Sequence, residues 1–440
     1  MRDKQTKIIA TISDKDCNSE FLKSLYANGM DVIRLNSAHQ TPAGSLKVLK
    51  MARSVAEDLA VLIDTKGPEI RTRSVDDFLV LSEGDVIQMT YGYEHSLCTC
   101  DVIYVSHHNF VHEVNTGTTV LIDDGEIELV VEDKKDGALV CRVIDGGRLG
   151  SKKGVNVPNC RFSLPSLTEK DKEFIRFSID QDVDFIAHSF VRNAEDVLQI
   201  QRMLDKAESD VKIIAKIENK EGVDNIHEIL PHVYGVMIAR GDLAVELSPE
   251  QIPIVQKKLI KTCLSYAKPV IVATQMLQSM IDNPRPTRAE VSDVANAVYD
   301  GTDAVMLSGE TAYGKHAEKA VAMMSKIAKR VEATKKPLRR NKNLQWRNPI
   351  HEFFARKAIE GCAELGVKAI FAATQSGATA RLLSSFRGRV PIYAETFSKR
   401  VVRELRLVYG VYPSFIRRQK SMDKLVEKAS QDILTKASLE

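Results

Sequence analysis

Eight times in this chain a short apolar run gives way to a stretch with helical periodicity, and seven of those runs close on a polar or charged residue. The runs are Thr6–Ile12, Asp31–Ala38, Leu59–Lys66, Asp184–Phe190, Lys212–Asn219, Gly235–Asp242, Pro269–Met276 and Ala304–Glu310. Strand–helix alternation of this kind builds parallel sheets, because a parallel crossover needs a connection long enough to hold a helix. Eight such units predict a closed (β/α)8 TIM barrel. Asn36, Asp64, Ser189, Glu218, Asp242, Thr274 and Glu310 would then ring the carboxyl rim, the end where chemistry is found in this architecture.

The stretch from Val211 to Glu246 carries the strongest functional signal. Side chains alternate faces along a strand, so Lys216 and Glu218 share one face, and Arg240 and Asp242 are expected to share one face of the next strand. Strands of a parallel sheet are covered on both faces, so charges there need partners or a function. Glu218 and Asp242 have no Cys or His beside them. Few hard oxygen ligands suit magnesium or manganese, completed by water and substrate oxygens, and disfavour zinc. Arg34, Lys66, Arg71, Lys216 and Arg240 add more positive charge than two carboxylates require, which points to a multiply charged anion such as a phosphate ester.

The strand–helix pattern is interrupted once. From about Thr72 to Pro158 the runs are short and alternating, with turn signals at Asp124-Gly125 and Asp136-Gly137, which predicts an inserted all-β module. The expected division is barrel over 1–71 and 159–332, insert over 72–158, and a C-terminal α/β domain over 333–440. Within the last lie a polar linker (Glu332–Ile350) with the single Trp346, a helix (His351–Leu365), strands at Lys368–Thr374, Val390–Thr396 and Val411–Ile416, and an amphipathic helix at Met422–Leu434. Thr168 is a plausible helix cap. A net charge of +3 over 440 residues gives no reason to expect a nucleic-acid or membrane partner. No apolar run is long enough to span a bilayer. Seven cysteines, odd and sparse, and a strand-like run already at Thr6 fit a cytoplasmic protein without a leader. Cys98 and Cys100 lie near His95, His107, His108 and His112, but their one-residue separation is tighter than that of zinc cysteine pairs, and a solvated hairpin is the reading there.

Several motifs together resemble the pyruvate kinase family. They are Arg34-Leu-Asn36, Asp64-Thr-Lys-Gly-Pro-Glu-Ile-Arg71, Gly150-Ser-Lys-Lys-Gly-Val-Asn-Val-Pro158, Lys216-Ile-Glu-Asn-Lys-Glu-Gly222, Ala239-Arg-Gly-Asp-Leu243, Ala273-Thr-Gln-Met-Leu277, Asn283-Pro-Arg-Pro-Thr-Arg-Ala-Glu290 and Met306-Leu-Ser-Gly-Glu-Thr-Ala312. The resemblance implies transfer of a phosphoryl group from phosphoenolpyruvate to ADP, giving pyruvate and ATP in glycolysis. It implies that Glu218 and Asp242 hold Mg2+ or Mn2+, that Lys216 neutralises the moving phosphoryl group and the enolate, and that Arg34 grips the phosphate. Gly241 and Asp242 amides with Thr274 would hold the carboxylate, and Thr274, Ser308 and Glu310 would lie on the proton path to the enolate. His39, Arg71 and Lys153 correspond to the ADP side, with the insert closing as a lid. The family pattern also implies a homo-oligomer, a tetramer.

Departures from the family touch mainly potassium. Asn36, Asp64 and the Thr65 carbonyl remain as K+ ligands, but the family's serine oxygen is replaced by Ala38, whereas Glu69 is the residue type that accompanies potassium dependence. Set against the family pattern, the C-terminal domain is expected to lack the last strands of its sheet. Two other readings are open: a metal-dependent aldolase on a similar barrel, which has no use for Lys66, Arg71 and a basic lid, and a degenerate relative that only binds.

Overall fold

The computed structural model of the chain describes residues 4–15, 17–334, 344–346, 348–417, 427 and 431. Eight parallel strands close into a barrel: β1 (Lys7–Thr11), β2 (Val32–Asn36), β3 (Ala60–Asp64), β4 (Phe185–His188), β5 (Lys212–Ile217), β6 (Gly235–Ala239), β7 (Val270–Ala273) and β8 (Ala304–Leu307). Each strand pairs with its neighbour in sequence, and β1 pairs with β8 to complete the ring.

Two apolar layers follow from side-chain alternation. Val61, Ile63, Ile186, Ile213, Val236 and Val305 face the surrounding helices, while Val32, Leu62, Phe185, Ile214, Met237, Ile271 and Met306 fill the barrel interior. The interior positions continue upward into Thr11, Arg34, Asp64 and Lys216, all buried. The parity that packs the centre therefore aims the charges at the mouth. The helix Glu169–Asp180 begins at Thr168 with a reciprocal cap to Asp171.

Several strands stop earlier than their apolar runs suggest. β6 ends at Ala239, and Arg240–Glu246 form a short helix that buries Leu243 and Val245. The expected shared strand face of Arg240 and Asp242 is therefore incorrect, because a helical turn separates their directions by far more than a strand would. β7 ends because Thr274 and Gln275 take left-handed backbone angles, φ 69° and 53°. Beyond β8, Gly309 starts another short helix.

Between β3 and β4 the insert forms a six-stranded sheet in the order Val155–Asn156, Thr119–Ile122, Ile127–Lys135, Ala138–Asp145, Val86–Tyr91, Val102–Val105. It has its own core, including Met89, Phe110, Val120, Leu129, Val131 and Leu139. At the turn signals Asp124-Gly125 and Asp136-Gly137 all four residues have positive φ, as tight hairpins of matching twist require.

The C-terminal α/β part contains a helix (Pro349–Leu365) and three parallel strands, β9 (Ile370–Ala373), β10 (Ile392–Thr396) and β11 (Val411–Phe415). Trp346 packs against the core of this part, and the helix expected at Met422–Leu434 lies almost wholly outside the described residues. Its contacts with the barrel are made at the end opposite the rim. Leu407 joins the apolar cluster of the barrel interior, Lys7 donates to the Val411 carbonyl at 2.6 Å, and buried Arg387 pairs with Asp303.

Candidate active site

At the carboxyl rim, four charged side chains from the ends of β2, β3 and β5 form one network, with Ser189 from the end of the intervening β4 joining it. Arg34 Nε donates to Asp64 Oδ2 at 2.6 Å, and its Nη1 donates to Thr11 Oγ1 at 2.9 Å. Lys216 Nζ lies 3.0 Å from Asp64 Oδ1 and 3.0 Å from Glu218 Oε1, and donates to Ser189 Oγ at 2.7 Å. The Ser189 hydroxyl in turn donates to the Thr65 carbonyl at 2.7 Å. Burial presses Asp64 toward its neutral form, but Lys216 and Arg34 outweigh it and hold the carboxyl below its ordinary range. Burial opposes the Lys216 charge as well, and Asp64 and Glu218 more than compensate, so the ammonium is held firmly protonated.

The second carboxylate pair behaves oppositely. Glu218 is pushed up to about 7 by burial, with Asp242 and Asp64 adding repulsion that Lys216 only partly relieves. Asp242 is raised too, first by burial and then by Asp124 and Glu69. Two acids that resist ionising side by side are short of positive charge. A divalent cation with hard-oxygen preference fits that donor set, with most of its shell left to water and substrate. Among the described residues no cluster of three or more His, Cys, Asp or Glu competes with it. Cys98 is buried and its sulfur accepts the Tyr104 N–H at 3.3 Å, while Cys100 is exposed. The flanking strands Val86–Tyr91 and Val102–Val105 pair in parallel, so the solvated hairpin expected there is not what forms.

Around this network the other sequence-selected residues fall into distinct places. Gly241 N–H donates to Thr274 Oγ1 at 2.8 Å, so the β6 and β7 ends meet. Glu310 is buried, and its two oxygens accept Ser308 N–H at 2.7 Å and Leu277 N–H at 3.0 Å, bracing the β7 and β8 ends. Arg71 and Lys153 share with Asp242 and Glu69 the lining of a cavity of about 640 Å³ between insert and barrel. Arg71 pairs with Glu69, and Lys153 with Asp123 at 2.5 Å. His39 is exposed on the turn after β2, outside that lining. Asn36 Oδ1 accepts Ala38 N–H at 3.1 Å, close in the chain to Asp64's partner Arg34, while Ser37 is buried with a hydroxyl that finds no hydrogen-bond partner among the described residues. Arg240 is not a free rim cation: it pairs with Asp293 at 2.6 Å and donates to the Thr274 carbonyl at 2.8 Å, bracing the left-handed turn.

Three contributors were not picked out from the sequence. Thr11 orients Arg34, and Asp171 accepts the Lys66 and Gly67 amides at 2.9 and 3.2 Å. Phe190, in the left-handed region at φ 55°, gives its N–H to Glu218 Oε2 at 2.7 Å. Asp171 had a visible signal, since Thr168-x-x-Asp171 has the spacing of a capping box. Its second duty, to a loop 105 positions away, had none.

A closed (β/α)8 barrel carrying clustered cations and a metal-suited carboxylate pair on its carboxyl rim belongs to the class of barrel enzymes that act on anionic substrates. The family profile described as "Pyruvate kinase, barrel domain" matches residues 3–321, and "Pyruvate kinase, alpha/beta domain" matches residues 352–439. A pyruvate kinase of Borreliella burgdorferi is 45% identical over 418 residues, covering 94% of this chain and 87% of the relative. One of Staphylococcus aureus is 44% identical over 437 residues, covering 97% of this chain and 74% of the relative. The crystal structure of a pyruvate kinase from Cryptosporidium parvum superposes with a TM-score of 0.94 at 35% identity, covering 100% of this chain and 92% of that one. The chain belongs to the pyruvate kinase family and is an enzyme of that family, a phosphotransferase. Membership implies a divalent metal and potassium in general terms. Among the described residues no helix is long and apolar enough to cross a membrane.

Proposed function

We propose that the Arg34–Asp64–Lys216–Glu218 network, with Asp242 beside it, carries the family's reaction, in which the phosphoryl group of phosphoenolpyruvate passes to ADP to give pyruvate and ATP. The observation that carries this reading is Lys216: one buried ammonium 3.0 Å from two carboxylates that belong to different strands. Phosphoryl transfer asks a protein mainly for positioning and charge neutralisation. Arg34, fixed by Asp64 and Thr11, binds the phosphate with its remaining donors. Lys216 meets the negative charge of the group in transit and then of the enolate oxygen. Glu218 and Asp242 hold Mg2+ or Mn2+, which when bound neutralises carboxylate and phosphate oxygens together. The substrate carboxylate takes the Gly241 and Asp242 amides and the Thr274 hydroxyl, replacing the Gly241–Thr274 bond. Thr274 and Ser308 hydroxyls deliver a proton to the enolate carbon through water, while Glu310 keeps both strand ends in place.

Arg71 and Lys153 receive the nucleotide phosphates across the cavity, and His39, outside its lining, is assigned to the nucleotide by the family resemblance alone. Asn36, Asp64 and the Thr65 carbonyl supply oxygens for K+, and Ala38 stands where the family has a further serine oxygen. In this reading residues 1–71 and 159–332 are the catalytic barrel, 72–158 the lid, and 333–440 the C-terminal domain. The protein works in the cytoplasm as a homo-oligomer, without nucleic acid or membrane. A coupled assay with phosphoenolpyruvate, ADP and magnesium, with and without potassium, tests the assignment. ATP formation that survives Lys216→Met at more than a tenth of the parent rate refutes it.

A further inference from the structure

The insert returns to the barrel through Cys160–Leu164, and this segment is held from both sides. On the insert side, the Phe162 ring stacks on Phe110 at 5.9 Å, and Glu113 accepts from the Ser163 hydroxyl and from His107 Nε2. On the barrel side, Arg192 Nη1 donates to the Phe162 and Leu164 carbonyls at 3.4 and 3.3 Å. The rest of that guanidinium is occupied by Asp196, with Nε at 3.0 Å from Oδ2 and Nη2 at 3.0 Å from Oδ1. A planar fork of five donors can serve a carboxylate on one edge and carbonyls on another, which a lysine ammonium cannot do with the same geometry.

Arg192 also ends the loop that reaches the rim. Two residues before it, Phe190 gives its N–H to Glu218 Oε2, and between them Val191 N–H donates to the Lys216 carbonyl at 3.3 Å. The Arg192 N–H is held by Asp196 at 3.0 Å and its carbonyl by Asn225 Nδ2 at 2.9 Å. With Phe190 in the left-handed region and the Val191 N–H, the Arg192 N–H, the Arg192 carbonyl and the Arg192 guanidinium all bonded, the loop has little freedom to absorb a displacement. Whatever moves residues 162–164 therefore loads the loop that sets the orientation of the Glu218 carboxylate.

We propose that Arg192 is a positioning residue that couples the pose of the lid to Glu218, so that closure over the nucleotide and completion of the metal site occur together. The inference rests on the assignment of Glu218 to the metal. Small misplacements of reacting groups cost large factors in rate, and hinge-region changes commonly alter kcat and KM together. Three full-length variants test it: Arg192→Gln, Asp196→Asn, which frees the guanidinium while keeping its shape partner, and Arg192→Lys. The readouts are hydrogen exchange along residues 159–165 and the insert, steady-state constants for each substrate, and the magnesium activation constant.

In Arg192→Gln, exchange in 159–165 should accelerate about tenfold while the barrel strands keep their protection, kcat/KM for ADP should fall about tenfold, and half-activation should need several times more magnesium. Asp196→Asn should move all three in the same direction by less. A purely structural brace would speed exchange and lower the melting temperature with the magnesium constant unmoved, and that result overturns the coupling. Unchanged exchange and unchanged constants in Arg192→Gln, or in Arg192→Lys should the glutamine variant not fold, overturn it too. An unaltered protein that forms no ATP would instead refute the reaction, while the exchange comparison would still report the anchor.

Discussion

Replacing Lys216 with methionine removes the charged terminal atom and keeps the rest of an unbranched side chain. Its ammonium is about nine-tenths buried and lies 3.0 Å from Asp64 and from Glu218. A transferring phosphoryl oxygen bound beside it would sit at roughly 4 Å, where two unit charges at an effective dielectric constant near 20 interact by about 4 kcal/mol. Each 1.36 kcal/mol is a factor of ten, so the loss in kcat should be about a thousandfold. The Lys216 charge is secured by two carboxylates against burial, so this loss should be constant across the working pH range.

The same substitution should change stability in a way that metal reverses. Without Lys216, Asp64 retains Arg34, but among the described residues Glu218 keeps only the Phe190 amide against the repulsion of Asp242. Removing one partner of a buried pair typically costs about 3–5 kcal/mol. A divalent cation held by Glu218 and Asp242 supplies the missing charge, so magnesium should raise the melting temperature of Lys216→Met more than that of the parent. Turnover by coupled assay and melting with and without magnesium check both halves. A loss of less than tenfold in turnover refutes the role of Lys216. A melting temperature that ignores magnesium refutes the account of the carboxylates.

Three further outcomes are expected. Glu218→Gln removes half of the anionic donor set and should raise the magnesium concentration for half-activation by at least tenfold, with zinc a poor substitute; an unchanged magnesium titration would take Glu218 out of the metal site. Potassium should stimulate turnover, and Ala38→Ser, which adds an oxygen in the turn after Asn36, should lower the potassium needed; full activity in buffer free of potassium and ammonium speaks against any such site. Glu246, in the wall of the lid cavity, is raised by burial to about 7 from an ordinary 4.5. Between those values the unfolded chain has lost this proton and the folded chain has kept it, so stability falls as pH rises through the window. Glu246→Gln should therefore gain up to about 3 kcal/mol at pH 8 and nothing at pH 4, read from denaturant midpoints; an equal gain at both pH values would rule out this cause.

Which parts of the site could be read from the sequence follows from how far each signal travels along the chain. Lys216 and Asp64 were legible because the alternation that buries Ile214 and Leu62 inside the barrel also decides, two residues later, where the charges point. That rule holds only while the chain stays extended. At Ala239 and Ala273 it leaves the strand, by a short helix in one case and by two left-handed residues in the other, and parity says nothing about what comes next. Arg240 shows the consequence, since its residue type suggests an anion ligand while its position turns it onto Asp293 and the Thr274 carbonyl. A second kind of information is absent from any local pattern. Asp171 reads as a helix cap and Arg192 as a charge in a loop, and both descriptions are true. What they hold beyond their neighbours, the Lys66–Gly67 amides and the Phe162 and Leu164 carbonyls, depends on where the insert leaves and rejoins the barrel. Side chains that touch substrate are set by chemistry and so betray themselves by type. Those that orient them are set by closure of the fold, where many residue types serve equally well, and only the assembled barrel singles them out.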